Sequence, residues 1–189
     1  TTYVGKKSGL YLDSGPDCAG KIFFSDLDID ESFYSKSSPV IQIISESDVS
    51  DVLVHRNQTT HKGDHGHVLM IGGNNGMEGA IRIAAEASLR AGSGLVSVLS
   101  TSQSCEIINQ IRPEVMCHDA SKVGSVSSLI DKADIIGIGP GLGRHAHIFE
   151  GVREILQSVR GLKLPIIIDA DALYMIRNDF DVIRGNKNI

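Results

Sequence analysis

Short apolar runs alternate with amphipathic segments along most of the chain after residue 60. Mostly apolar runs predict buried strands at Val68–Ile71, Leu95–Leu99, Asp134–Ile138 and Ile166–Ile168, with a shorter candidate at Val115–Cys117. Because these runs are continuous and do not alternate with polar residues, they are typical of a parallel sheet that is covered on both faces.

Helical spacing fills the segments between these strands. The spacing predicts helices over Gly79–Arg90, Glu106–Ile111, Val126–Lys132 and Ile148–Val159. Gly92 is a stop signal for the first helix, and Pro113 is one for the second. Strands that alternate with helices favour an α/β layer fold with a mainly parallel sheet.

The first helix carries an unusual face. Small residues and one isoleucine recur at helical spacing, namely Ala80, Ile83, Ala84, Ala87, Ser88 and Ala91. Such a face lets the helix lie close to a sheet or to a flat ligand, and the sequence leaves both options open.

The first 60 residues lack this regular alternation. A short strand is predicted at Ile22–Phe24. Residues 1–40 are interpreted as the tail of another domain, and residues 41–60 as a connector with one strand and a short helix. Residues 61–189 then form the α/β part of the chain.

Composition narrows the class of protein. The chain has 189 residues, of which 41% are hydrophobic and 22% charged, with 20 glycines and a net charge of -5. The acidic balance argues against nucleic-acid binding, and no apolar run is long enough to cross a bilayer. Three cysteines without metal-type spacing indicate reduced thiols. We expect a cytoplasmic protein that binds neither membranes nor nucleic acids.

Three predicted strands end in unusual loops. The sequences are "GGNNGMEG" at Gly72–Gly79, "GPGLG" at Gly139–Gly143 and "DAD" at Asp169–Asp171. In doubly wound sheets ligands bind at the carboxyl ends of the strands, which makes these loops the candidate site.

The first of these loops matches neither common phosphate-binding template. Asn74 stands where a dinucleotide fingerprint needs its second glycine, and no lysine follows Gly79 as a P-loop requires. Glycines let main-chain N–H groups approach a ligand, and a helix that starts near Gly79 favours an anion. Tight packing of the helix on the sheet is the alternative reading.

The other two loops are also open to two readings. "GPGLG" is either a strand-to-helix turn or a backbone wall against a ligand. Asp169 and Asp171 could organise Mg²⁺, orient a hydroxyl or cap the next turn. Capping is favoured for Asp171, whereas Asp169, at the strand end itself, is the better candidate for function.

The segment "HKGDHGH" at His61–His67 offers several metal-binding side chains. It lacks the spacing of known zinc motifs, so we predict no metal ligands here. Lys62 contacting a phosphate, or a loop that simply leads into the first strand, fits better.

Four motifs in order resemble the ADP/ATP-dependent NAD(P)H-hydrate dehydratase family, whose members have a ribokinase-like fold. They are "HKGDHGHVLMIGGNNGMEGAIRIAAEASLRAGSGLVSVLS", "RPEVM", "ADIIGIGPGLG" and "IIIDADAL", and they cover about residues 61–175. The opening "TTYVGKKSGLYL…GKIFFSDLDI" resembles the closing strands of the NAD(P)H-hydrate epimerase domain that bacteria often fuse in front. The resemblance implies the first half of a three-layer dehydratase domain behind an epimerase tail at residues 1–40.

The resemblance also implies a reaction and a site. ADP, or ATP, with Mg²⁺ would phosphorylate the C6 hydroxyl of hydrated NADH or NADPH, and loss of phosphate would restore the dihydronicotinamide. The enzyme would bind small nucleotides and form a homo-oligomer. Residues expected against the hydrated substrate are Gly79, Ala80, Gly141, Gly143 and Asp169, with Lys62 and Asn74 as weaker candidates for the nucleotide.

Some motifs of the family are absent from the sequence. The P-H-x-x-E segment, the K-G-x-x-T-type loop and the G-x-G-D stretch that supplies the base do not occur. The catalytic base is therefore expected beyond residue 189, and the 189 residues alone are expected to lack turnover. Two alternatives remain, a ribokinase-like kinase of a small hydroxymethyl vitamin precursor and a non-catalytic nucleotide-binding remnant.

Overall fold

The computed structural model describes residues 1–36, 38, 41–53, 55–122, 126–186, 188 and 189. The chain divides into two compact units, Thr1–Arg56 and Asn57–Ile189. The first unit contains a two-stranded parallel sheet and three short helices: β1 Thr2–Tyr3, α1 Gly15–Ala19, β2 Phe24–Ser25, α2 Glu31–Ser35 and α3 Glu46–Val52. Strand β2 begins two residues later and ends one residue later than predicted. In residues 41–53 and 55–60 the structure contains α3 and no strand, so the strand predicted there is wrong.

The second unit is built on a five-stranded parallel sheet. Its strands are β3 His67–Ile71, β4 Leu95–Ser100, β5 Met116–Asp119, β6 Ile135–Ile138 and β7 Ile166–Ile168. The strand order is β5-β4-β3-β6-β7, and every neighbouring pair is parallel. Each strand predicted after residue 60 is confirmed, with ends that differ by at most two residues.

Helices follow the strands as the alternating pattern predicts. They are α4 Glu78–Arg90, α5 Ser102–Ile111, α6 Ser127–Ile130, α7 Ala146–Ser158 and α8 Ala170–Ile176, with short 3-10 turns at Ser8–Leu10, Lys62–His65 and Phe180–Val182. Helix α5 starts four residues earlier than predicted because the hydroxyl of Thr101 accepts the Ser104 N–H at 3.3 Å and caps it. It ends where Arg112, the residue before Pro113, leaves the helical conformation.

Alternating side chains of the sheet face two separate helical layers. On one face Leu69 and Ile71 pack with residues of α6, α7 and α8. On the other face Val96 and Val98 pack with α4 and α5. The result is a three-layer α/β/α arrangement, which confirms the predicted fold class.

The face of small residues on helix α4 is not the face that the helix buries. Ile81 and Ala85 are completely buried against β4 and α5. Ala84 and Ser88 are only half-buried, and they line a groove with Ile167 of β7, which is 59% exposed. The larger apolar surface of Ile81 decides which side of the helix turns inward, because its burial contributes more free energy than that of alanine.

The strand register brings three strand ends level with one another. Ile71 of β3 lies opposite Ile138 of β6, which lies opposite Ile168 of β7. The next residues along these strands are Gly72, Gly139 and Asp169, so the three unusual loops start at one edge of the sheet. Within the part of the chain that the structure describes, no helix has the length and apolar character needed to span a bilayer.

Candidate functional site

The loops after β3 and β6 are joined by main-chain hydrogen bonds. The N–H of Gly73 donates to the carbonyl of Pro140 at 2.9 Å, and the N–H of Asn74 donates to the carbonyl of Gly141 at 2.6 Å. These bonds hold the two loops side by side across the central strands. The N–H groups in these bonds were predicted from the sequence to face a ligand.

The loop after β6 is fixed on its other side by Asp171 of α8. Oδ2 of Asp171 accepts a hydrogen bond from the Gly143 N–H at 3.0 Å, and Oδ1 accepts one from Nε of Arg144 at 2.7 Å. The hydrogen bond from Arg144, together with that from Gly143, holds the pKa of Asp171 below its ordinary value. Asp171 therefore links two loops, and the capping role predicted for it is wrong, since α8 has no side-chain cap at its first turn.

Glycine is required at two positions because the loops approach so closely. Gly139 has φ 131°, and a Cβ there would overlap the carbonyl oxygen of Asp169. Gly141 has φ 63°, and a Cβ there would overlap the carbonyl oxygen of Met77. Both conformations are ones that side-chain-bearing residues rarely adopt. Close contact between loops, rather than a row of exposed N–H groups, explains these two glycines of "GPGLG".

Gly143 is buried where these loops meet, and Ala80 is exposed beside them. A Cβ on Gly143 would come within 2.9 Å of Nδ2 of Asn74 and 3.3 Å of Cε of Met77. The Cβ of Ala80 lies 3.0 Å from the position that a Cβ on Gly141 would take. Ala80 and Gly79 are exposed at the start of α4, so the helix presents two small residues beside these loops.

The N-terminus of α4 already carries a carboxylate of the protein. Oε1 of Glu78 accepts the Gly76 N–H at 2.9 Å. Hydrogen bonds from its own N–H and from Gly76 lower the pKa of Glu78. An external anion would have to compete with this side chain, so the expectation that the helix start attracts an anion is weakened.

The side chain of Asp169 takes no part in the hydrogen bonds that join the loops. It is exposed, it precedes α8, and its carboxylate makes no hydrogen bond to the described part of the chain. The next residue, Ala170, has φ 45°, a left-handed conformation that costs free energy for a residue with a side chain. Strained backbone beside an unengaged carboxylate is consistent with a functional role for Asp169.

Lys62 lies at the opposite end of the sheet. Gly94, just before β4, packs so closely on Lys62 that a Cβ there would overlap the Lys62 carbonyl oxygen. The turn around it is held by Asp64, whose Oδ2 accepts the His61 N–H at 2.9 Å. The segment thus braces the amino ends of β3 and β4. Among the described residues no group of three or more His, Cys, Asp or Glu side chains is arranged to hold a metal ion.

The family match covers the part of the chain that contains these loops. Residues 68–189 match the family model described as NAD(P)H-hydrate dehydratase, and this segment includes all three loops. The chain belongs to the NAD(P)H-hydrate dehydratase family. The match confirms the resemblance inferred from the four motifs and favours the dehydratase over a kinase of a vitamin precursor.

Curated relatives extend the similarity to the first unit. The bifunctional NAD(P)H-hydrate repair enzyme Nnr of Escherichia coli is 38% identical over 175 residues, which are 93% of this chain and 33% of that protein. The Nnr of Coxiella burnetii is 36% identical over 93% of this chain and 35% of its own length. The chain thus spans about a third of the length of these relatives.

Solved structures of relatives share the fold of the second unit. A ribokinase-like superfamily protein from Enterococcus faecalis is similar with a TM-score of 0.66 and 28% identity, over 70% of this chain and 46% of that one. The ADP/ATP-dependent NAD(P)H-hydrate dehydratase of Bacillus subtilis, co-crystallised with ATP/Mg²⁺, gives a TM-score of 0.56 and 26% identity over 68% and 46%. The fold of this family member is therefore ribokinase-like.

The family site predicted from sequence is brought together only in part. The structure gathers most of the predicted positions at the carboxyl edge of the sheet: Asn74, Gly79, Ala80, Gly141, Gly143 and Asp169. Lys62 is separated from them by the length of β3. Sequence reasoning missed Arg144, which joins Asp171 and also lies over the ring of Tyr174 at 3.9 Å. Its position directly after "GPGLG" was the available signal.

Proposed function

We propose that this protein dehydrates the hydrated forms of NADH and NADPH and so restores the reduced cofactors. ADP or ATP would phosphorylate the C6 hydroxyl of the hydrated ring, and loss of phosphate would leave the dihydronicotinamide. With ADP as donor, the products are AMP, phosphate and NAD(P)H. The observation that carries the proposal is the family match over residues 68–189, which includes all three converging loops.

The contribution of the described residues is to shape and orient the substrate. At the exposed Gly79 and Ala80, beside the buried Gly143, the protein offers little side-chain bulk, so a substrate ring can lie against the backbone there. Asp171 and Arg144 keep the Gly143 segment in one position. Correct placement of reacting groups lowers the barrier of a phosphoryl transfer, in which positioning and electrostatics dominate.

Phosphoryl transfer also needs positive charge near the phosphates and a base near the hydroxyl. At the three loops, the cation that the structure describes is Arg144, and Asp171 already engages it. We propose that the remaining groups come from the portion of the relatives to which this chain does not correspond. That the catalytic base lies outside residues 1–189 stays a prediction.

The proposal includes Mg²⁺ because nucleotide phosphates usually react while Mg²⁺ is bound to them. Asp171 is a poor ligand, since both of its oxygens already accept hydrogen bonds. Asp169 fits better because its carboxylate is exposed and unengaged. It would contact the ion as one oxygen ligand or through a water. Bound Mg²⁺ would neutralise phosphate charge, while Asp169 would orient it at the edge of the sheet.

The first unit is proposed to belong to an epimerase-like domain. The similarity to Nnr proteins covers 93% of this chain, and so includes residues before the dehydratase match at residue 68. The short parallel pair of β1 and β2 is consistent with the end of a larger sheet. In this proposal residues 1–40 are the end of that domain and residues 41–60 the connector.

An assay of the intact protein tests the proposed function directly. Hydrated NADPH is incubated with the protein, Mg²⁺ and either ADP, ATP or no nucleotide, and the absorbance of the reduced ring is followed. We expect recovery that depends on the nucleotide, with one AMP released per NADPH formed when ADP is the donor. Absence of recovery with both nucleotides, in a preparation that phosphorylates a hydroxymethyl pyrimidine or thiazole, would show that the kinase reading is correct.

A further inference from the structure

One side of helix α8 carries three residues that connect it to the loop after β6. Asp171, Tyr174 and Arg177 are spaced i, i+3 and i+6, which places them on the same side of the helix. The side chain of Arg144 contacts the first two of them. Its Nε lies 2.7 Å from Oδ1 of Asp171, and its guanidinium carbon lies 3.9 Å from the centroid of the Tyr174 ring.

Tyr174 is held from its own helix by Arg177. The guanidinium carbon of Arg177 lies 3.6 Å from the ring centroid, and its Nη1 donates a hydrogen bond to the Tyr174 carbonyl at 2.7 Å. The ring attracts both cations because its faces carry negative charge. Since like charges repel, the second arginine does not strengthen the ion pair between Arg144 and Asp171. Its contacts restrain Tyr174 instead.

Arg144 needs this restraint because its ion pair is largely at the surface. The side chain of Arg144 is 58% exposed, and that of Asp171 is 14% exposed. An exposed ion pair holds a long, flexible side chain only weakly. A ring against the planar guanidinium removes part of that freedom and keeps Nε directed at the carboxylate. The other oxygen of this carboxylate accepts the hydrogen bond from the buried Gly143 N–H, so the restraint reaches the loop.

We propose that Tyr174 is a positioning residue of the substrate site, which acts through Arg144 and Asp171 on the loop at Gly143. The inference rests on the proposed function, because this loop borders the surface where the hydrated ring would lie. Tyr174 acts through its aromatic face and not through its hydroxyl. Phenylalanine offers a similar face and replaces it, whereas leucine does not.

The kinetic test compares variants of the intact protein with hydrated NADPH as substrate. Tyr174→Leu is expected to raise KM about tenfold and to keep kcat within about twofold, because the loop occupies its binding conformation less often before the substrate binds. Tyr174→Phe keeps the wild-type KM. Tyr11→Leu is the matched control, since Tyr11 is 39% exposed against 40% for Tyr174 and belongs to the first unit. Leucine favours helices, so Tyr174→Leu is expected to fold.

A double variant tests whether Tyr174 acts through Arg144. If it does, adding Tyr174→Leu to Arg144→Ala raises KM no further than Arg144→Ala alone. A double variant whose KM increase is the product of the two single increases would overturn the proposal. Equal losses in Tyr174→Phe and Tyr174→Leu would overturn it too, because the aromatic face would then not be the acting group.

Amide hydrogen exchange of the unliganded protein separates this inference from the proposed function. Tyr174→Leu is expected to speed exchange at the Gly143 amide about tenfold, while Tyr174→Phe and Tyr11→Leu exchange as the wild type does. This result, in a wild type that never restores hydrated NADPH, would support the positioning of the loop and contradict the dehydratase function. An active wild type with unchanged exchange and KM in Tyr174→Leu would contradict the role of Tyr174 alone.

Discussion

The main-chain N–H of Gly143 donates a 3.0 Å hydrogen bond to Oδ2 of Asp171, 28 residues further along the chain. This bond ties the loop after β6 to the first turn of α8, and Arg144 extends it with a second bond to the same carboxylate. The carboxylate is 14% exposed, so water replaces it poorly. One side chain therefore sets the position of the glycine loop at the candidate site.

Removal of this carboxylate is the first test. Asp171→Ala leaves the buried Gly143 N–H without its acceptor, which costs about 1–3 kcal/mol. Asp171→Asn keeps an acceptor and should lose less than half of that stability. Urea unfolding of the three proteins measures the difference. Equal losses in the two variants would mean that the hydrogen bond to Gly143 does not position the loop.

A second prediction compares two glycines with nearly the same φ. Gly143 has φ 83° and Gly161 has φ 86°, but only Gly143 has neighbours that a Cβ would contact. Both alanine variants should lose about 1–2 kcal/mol from the left-handed conformation. Gly143→Ala should in addition weaken binding of hydrated NADPH, because its Cβ would displace Asn74 and Met77 beside the loops, whereas Gly161→Ala should not. Unfolding curves and titrations of the two variants provide the comparison, and equal affinity in both would contradict a role of the Gly143 loop in substrate binding.

The acid stability of the second unit is expected to depend on Glu86. Hydrogen bonds from Arg112 and Arg90 lower the pKa of Glu86 from an ordinary value of 4.5 to about 2. A carboxyl whose pKa is lowered by folding stabilises the protein above its unfolded pKa, and this contribution disappears as the pH falls. Stability should therefore decrease between pH 4.5 and about 2.

The variant Glu86→Gln isolates this contribution. It should be less stable than the wild type at neutral pH and lose less stability on acidification, because the ion pairs with Arg112 and Arg90 are already gone. Thermal unfolding over a pH series measures both effects. Parallel curves for wild type and variant would show that Glu86 contributes nothing to the pH dependence.

Substitution of Lys62 is expected to leave nucleotide affinity unchanged. Its backbone braces Gly94 at the amino ends of the strands, away from the loops at the carboxyl ends. Lys62→Ala should bind ADP and hydrated NADPH within about twofold of the wild type. Loss of nucleotide affinity by about tenfold or more would return Lys62 to the binding site and contradict its assignment to a structural turn.

Much of the fold could be predicted because hydrophobic patterning determines it directly. The strands from β3 to β7 are continuous apolar runs, and such runs allow few alternatives to a buried parallel sheet. Helix α4 was placed correctly, but the sequence left open whether its face of small residues packs on the sheet or meets a ligand. The pattern of small residues drew attention to Ala84 and Ser88, whereas burial of Ile81 dominates the packing.

The site was less accessible to sequence reasoning because its contacts connect distant residues. The hydrogen bond from Gly73 to Pro140 spans 67 residues, and no local pattern shows that the loop N–H groups will be used in this way. Asp171 was interpreted as a cap for the same reason. Lys62 was adjacent to a promising motif in sequence, but the direction of β3 carries the two apart.

The most direct test of the account is titration of the intact protein with hydrated NADPH in the variants Ala80→Trp and Ile83→Trp. Ala80 lies beside Gly141 at the meeting point of the loops, while Ile83 lies about one turn further along the same helix and is 62% exposed. If the three loops form the substrate surface, Ala80→Trp lowers the affinity by about tenfold or more and Ile83→Trp retains that of the wild type. Unchanged affinity in Ala80→Trp would contradict the claim that hydrated nicotinamide nucleotides bind at this edge of the sheet.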